Sequence, residues 1–252
     1  MNTSQATPSI HGKRRKLVIL PIGTIEQHGP YLPIDTDLRI AQLLAEKLEH
    51  SFADLSSDVD ALLLPAIPFS CSWEHQGVGT VALTVSTVAG ILHDLAKSLK
   101  AWNMPFLLIC VNWHGGNDIL ASLTTEITAT EGIPAAVIPS TAQVGKSWDK
   151  SGITAVNDVH AGAVETSVVQ AYWPDLVAKS LPASAHYVPD IAPAKTQAVL
   201  QSLGSYAVAE TGIWGAPEQA DPEKGKQLVE TLAQQMHDQA KALLELVNRH
   251  HR

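Results

Sequence analysis

Short apolar runs alternate with helical patterns along this chain, and that alternation narrows the fold more than any other feature. Leu17–Ile22, Ala61–Ile67, Pro105–Val111 and Ile133–Pro139 are brief, apolar and bounded by turn residues, as strands buried on both faces are. Between them, Ile40, Ala41, Leu44 and Leu48 recur at helical spacing in Leu38–His50. Val88, Leu92, Leu95 and Leu99 do the same in Val85–Lys100. Further helices are expected from Asn117 or Asp118 to about Thr130, over Ala161–Trp173, and from Asp221-Pro222 to about His250. This order predicts a single-domain α/β/α sandwich with a mostly parallel central sheet. Residues 1–15 read as a flexible tail and 16–252 as the domain. Ser140–Asp158 reads as irregular, and Pro174–Gly212 resists assignment apart from a short strand at Tyr206–Ala209.

Charge and cysteine usage exclude several classes of function. The formal net charge is −8 and the one basic run is Lys13–Lys16, so nucleic acid is not an expected partner. The chain has no apolar stretch of the roughly 18 residues that a membrane span needs and no signal-peptide pattern at its start. The two cysteines, Cys71 and Cys110, lie in or beside apolar runs; reduced, buried thiols and a cytoplasmic setting are expected.

Chemistry concentrates in Gly23–Asp37, G-T-I-E-Q-H-G-P-Y-L-P-I-D-T-D. Glu26 and His28 are two apart, so in extended backbone they leave one face. Asp37 stands at the mouth of a helix, where it either caps the first amides or faces the loop. Carboxylates and an imidazole converging there suit a divalent cation such as Zn²⁺ or Mn²⁺; a polar loop with a helix cap is the other reading. The apolar run at Pro105–Val111 delivers Asn112–Asn117 to its C-terminal end, where open α/β sheets bind ligands. The loop Phe69–Thr80, with Trp73, Glu74 and His75 at its centre, is long enough to be functional or else a packed corner. No G-x-S-x-G or serine or cysteine triad pattern occurs, which leaves water as the nucleophile of any hydrolysis.

Four segments resemble the creatininase (creatinine amidohydrolase) family in the same order: Gly23–Asp37, V-N-W-H-G-G-N at Val111–Asn117, H-A-G-A-V-E-T-S at His160–Ser167 and G-I-W-G-A-P at Gly212–Pro217. The resemblance implies two divalent ions, Zn²⁺ or Mn²⁺, held by Glu26, His28, Asp37 and His114, with Asp37 bridging. Creatininase itself carries a ligand glutamate two residues after the second histidine, where this chain has Gly116. Glu165 is the expected replacement and Asp118 the alternative. By the same resemblance His160 is implicated in proton transfer, with His75 next in line and Glu74 beside it in an S-x-E-H segment. Trp113 stands where the family commonly has glycine and is expected to reshape the pocket, with Trp73, Gly115 and Gly116 facing substrate. The implied activity is hydrolysis of a non-peptide or cyclic amide C–N bond in a small molecule. Deformylation of a formamide and trimming of a short peptide precursor are alternatives within the family, and a non-catalytic metal-stapled protein is one outside it. A homo-oligomer, a hexamer, is also implied, with 174–212 as a contact region.

Overall fold

Two adjacent strands carry the middle of the molecule, a computed structural model in which residues 15–53, 58–103, 106–152, 157–181, 191–192 and 195–250 are described. They are β1 (Arg15–Ile22) and β3 (Phe106–Asn112), flanked by β2 (Val59–Leu63) and β4 (Ala135–Val137) in the order β2-β1-β3-β4. All three pairings are parallel, with Leu17 opposite Leu107 and Ile22 opposite Asn112. The expected tail falls almost wholly on residues 1–14, outside the described residues.

Successive side chains of a strand point to opposite faces, and here both faces are covered. Leu17, Ile19, Leu107, Ile109 and Val111 join a core with α1 (Thr36–Ser51), α5 (Ala163–Tyr172) and α7 (Pro222–His250). Val18, Leu20, Ile22, Leu108 and Cys110 join a second core with α2 (Val85–Lys100) and α3 (Ile119–Glu131). The molecule is therefore the expected α/β/α sandwich. No described helix is long and apolar enough to cross a membrane.

Local signals explain most boundaries. Thr84 Oγ1 accepts from Thr87 N at 3.2 Å and starts α2. Asp221 Oδ1 accepts from the amides of Glu223 and Lys224 and starts α7, as its D-P sequence predicts. Two readings are corrected. Most of the stretch expected to be irregular from Ser140 is helical: α4 (Thr141–Ser151) opens on a capping box between Ser140 and Gln143. Its thin apolar stripe hid it, since Val144 and Trp148 are only partly buried. The proposed strand at Tyr206–Ala209 is a 3-10 turn at Ser205–Ala207, preceded by α6 (Thr196–Leu203). Asp118 occupies the N-cap position of α3 without a side-chain cap bond, and its carboxylate instead accepts from Gln197 Nε2 at 3.0 Å.

Candidate metal centre

The chain leaves β1 toward β2 on one side and leaves β3 toward β4 on the other. The crevice beyond their C-terminal ends is thus the topological switch point of the sheet. Glu26 and His28 follow β1, and His114 follows β3. The corner after β1 is tight, because a Cβ at Gly23 would overlap Leu38 Cα. That closeness swings the first turn of α1 over the strand ends, so Asp37 faces the crevice. Asp35, not Asp37, precedes the helix, and it pairs with Arg39 at 2.7 Å.

Four imidazoles and three carboxylates meet there. Asp37 Oδ2 and Glu26 Oε2 each lie 3.3 Å from His114 Nδ1. Asp37 Oδ1 lies 3.6 Å from His28 Nε2, and Glu165 Oε2 lies 3.7 Å from the same nitrogen. The two oxygens of Asp37 therefore face two different His–carboxylate pairs. His160 Nδ1 is 3.4 Å from Glu26 Oε1. The rings of His28 and His75 flank that of His160 at centroid distances of 4.4 and 3.9 Å. Glu26, His28 and Asp37 are at most 1% exposed.

The hydrogen bonds decide which ring nitrogens carry protons. His28 Nδ1 donates to the Glu26 carbonyl (3.0 Å), His114 Nε2 to that of Cys71 (2.7 Å) and His160 Nε2 to that of Gln27 (2.6 Å). A carbonyl can only accept, so a proton is fixed at each of these nitrogens, and the opposite nitrogen of each ring, in its neutral form, turns a lone pair toward the carboxylates. Glu26 Oε1, His28 Nε2 and Asp37 Oδ2 are buried with no hydrogen-bond partner. Lone pairs opposing one another in a buried space are repulsive unless a cation lies between them. The set of imidazole and carboxylate donors fits Zn²⁺ or Mn²⁺.

Electrostatics repeat the point. Burial opposes charge on His28, yet Asp37 and Glu165 outweigh it and raise its pKa well above the ordinary value. Burial likewise opposes charge on His114, where Glu26, Asp37 and Glu74 prevail and raise it. Burial would raise the Asp37 carboxyl, but His28 and His114 hold it well below the usual range. His75 has the opposite balance: burial and the neighbouring imidazoles lower its pKa well below the ordinary value.

The remaining expected residues divide. Glu165, in the first turn of α5, is held by Trp113 Nε1 (3.3 Å) and by the amide of Ala161 (2.7 Å). Trp113 is buried and touches Glu165, whereas Trp73 is half exposed and donates its Nε1 to the Leu83 carbonyl. Gly115 is open around its Cα. At Gly116 a Cβ would overlap Glu74 Oε1, which sits 3.2 Å from His114 Nε2. Glu74 thus fills the space where a side chain at 116 would begin. Asp118 is exposed and stands apart from the groups whose donor atoms converge closely enough to hold an ion among the described residues: Glu26 with His75 and His160, His28 with His160 and Glu165, and Glu26 with His28 and Asp37. His114 joins the centre through its 3.3 Å approaches to Glu26 and Asp37.

Sequence reasoning passed over several supports. Ser72 Oγ donates to Glu26 Oε2. Asp158 accepts from the amides of Ala163, Val164 and Ala216, fixing the start of α5 against the segment after Gly212. Burial pushes the Asp158 carboxyl up to about 6. The one signal available was its place two residues before His160. Tyr31 donates its hydroxyl to the Ala161 carbonyl, joining the first loop to the same corner.

A family model described as creatinine amidohydrolase matches residues 2–239. The chain belongs to the creatininase family. The mycofactocin precursor peptide peptidase of Mycolicibacterium smegmatis is 31% identical over 213 residues, covering 84% of this chain and 79% of that protein. The creatinine amidohydrolase of Pseudomonas putida is 23% identical over 179 residues, covering 64% and 66%. Among solved structures, a creatininase variant of Zn-Zn type has a TM-score of 0.66 at 20% identity, with 90% of each chain covered. A manganese creatininase has a TM-score of 0.63, also at 20% identity and 90% coverage of each. At that identity the likeness is one of fold.

Proposed function

We propose that this creatininase-family hydrolase is a dinuclear metal-dependent enzyme that cleaves an amide C–N bond in a short peptide precursor. The observation that carries the proposal is Asp37, whose two buried oxygens face two separate His–carboxylate pairs. Glu26, His114 and Asp37 would hold one ion, and His28, Asp37 and Glu165 the other. When bound, such a pair lowers the pKa of water and polarises the scissile carbonyl.

The chain's own residues do the rest. His160 is tied at Nε2 to the Gln27 carbonyl, so Nδ1 is the atom that exchanges protons with solvent and substrate. It accepts the proton released as water attacks and returns it to the nitrogen as the C–N bond breaks, since an amine leaves poorly without one. Glu26 Oε1, 3.4 Å from Nδ1, steadies the imidazolium between those events. Burial of the carboxylates keeps bulk water from screening these interactions.

The peptide reading is preferred to the cyclic amide because the relative named as a peptide peptidase is the more similar, at 31% against 23%. The test is a screen of short peptides, lactams and formamides with protein stripped of metal and reloaded with Zn²⁺ or Mn²⁺. Metal-dependent peptide cleavage is expected. Cleavage of lactams alone would restore the cyclic-amide reading, and equal activity in stripped and reloaded protein would end the metal one.

A further inference from the structure

Three of the four clustered imidazoles turn a lone pair into the centre; the fourth does not. His75, at the end of the 3-10 turn Trp73–His75, is 5% exposed and has no carbonyl to anchor it. Its Nδ1 lies 3.0 Å from Ser205 Oγ and 3.5 Å from Gln27 Nε2. The orientation of the Gln27 amide is fixed independently. Its Oε1 accepts from the Gly29 amide at 3.1 Å, and its Nε2 donates to the Gly212 carbonyl at 2.9 Å. A flip would set oxygen against oxygen and N–H against N–H. Gly212 presses on the amide as well, for a Cβ there would overlap Gln27 Oε1.

The second N–H of Gln27 Nε2 is therefore the group that faces His75. An amide nitrogen can only donate, so His75 Nδ1 accepts, and the hydroxyl of Ser205 is free to rotate and donate to it as well. The ring proton is then on Nε2. That nitrogen looks toward the centre, 3.8 Å from Glu26 Oε1, beyond hydrogen-bond reach. Among the described imidazoles of the cluster, His75 alone offers the centre an N–H and not a lone pair.

We propose that His75 is the hydrogen-bond donor to the carbonyl oxygen of the scissile amide, presenting Nε2–H as a fixed neutral tautomer. The proposal rests on the amidohydrolase reading. Charge develops on that oxygen as water adds, and a preorganised N–H in a dry site stabilises it without surrendering its proton. Glu26, His75 and His160 also converge closely enough to hold an ion, and the Nε2–H tautomer is what makes His75 a donor to substrate and not a ligand or a proton shuttle. Gln27 and Ser205 are positioning residues that act through the His75 tautomer.

The test combines spectroscopy and kinetics on the metal-loaded protein. Two-bond ¹⁵N–¹H correlation spectra of ¹⁵N-histidine-labelled protein should show His75 as the Nε2–H form, assigned by its loss in His75→Ala. His75→Ala should lower kcat by roughly 10²–10³-fold with metal content unchanged, and His75→Gln, which retains an N–H donor, should recover part of the loss. Gln27→Glu places an acceptor against Nδ1; it should convert the signal to the Nδ1–H form and lower kcat without removing metal. An Nδ1–H spectrum in the unaltered protein, loss of a metal equivalent in His75→Ala, or an unchanged kcat would each overturn the proposal. If no amide is cleaved at all, the functional reading fails, and the spectrum still decides the tautomer.

Discussion

The centre has two halves that meet at Asp37, and only one of them draws on the late part of the chain. On one side Glu26 and His114 sit at the ends of β1 and β3, backed by Ser72, the Cys71 carbonyl and Glu74. On the other, His28 meets Glu165, which arrives on α5 far later in the chain and is held by Trp113 and the Ala161 amide. The Glu26 side chain is 1% exposed and that of Glu165 12%. The first half is fixed by the sheet itself. The second depends on how the late segment docks.

That contrast can be broken from the middle outward. Asp37→Asn removes the charge common to both halves, so both metal equivalents and all turnover above background should be lost while the fold is retained by circular dichroism. His160 approaches Glu26 and Glu165 but not Asp37, so His160→Ala should keep its metal and lose roughly 10²–10⁴-fold in kcat. Metal lost along with rate would make His160 a ligand of the centre. Glu165→Gln should cost one equivalent and leave the Glu26–His114 half loaded, whereas Asp118→Asn should cost none. The reverse pattern would move the second carboxylate to Asp118.

The smallest effect sharpens the first half. Glu74 lies against the His114 nitrogen that faces away from Asp37, so Glu74→Gln should weaken metal binding about 10–100-fold. Stepwise titration with a metal indicator should place that change in one of two binding events. Equal weakening of both events would show that the halves are not independent.

What could be read from sequence follows the same division. The strand-end residues Glu26, His28 and His114 lie beside continuous apolar runs, and periodicity located those runs to within about three residues at most ends. Asp37 was legible as a helix-mouth residue, but not its direction, which depends on Gly23 pressing the strand end onto Leu38. Glu165 was reached only through a resemblance, since a glutamate in a helix's first turn is ordinary. Its supports come from Trp113, more than fifty positions earlier, and from the Ala161 amide. No local pattern announces contacts of that range. Helix α4 escaped notice because a capping box is a weaker mark than an apolar stripe, and Asp158 because its partners are backbone amides.

In the proposed centre Asp37 joins two cation positions. Elemental analysis of catalytically active protein, freed of loosely bound metal by gel filtration, tests it directly. Close to two divalent ions per chain, falling to one in Glu165→Gln and to none in Asp37→Asn, is the predicted result. Active protein with no divalent metal, or with one ion that survives Asp37→Asn, would contradict it.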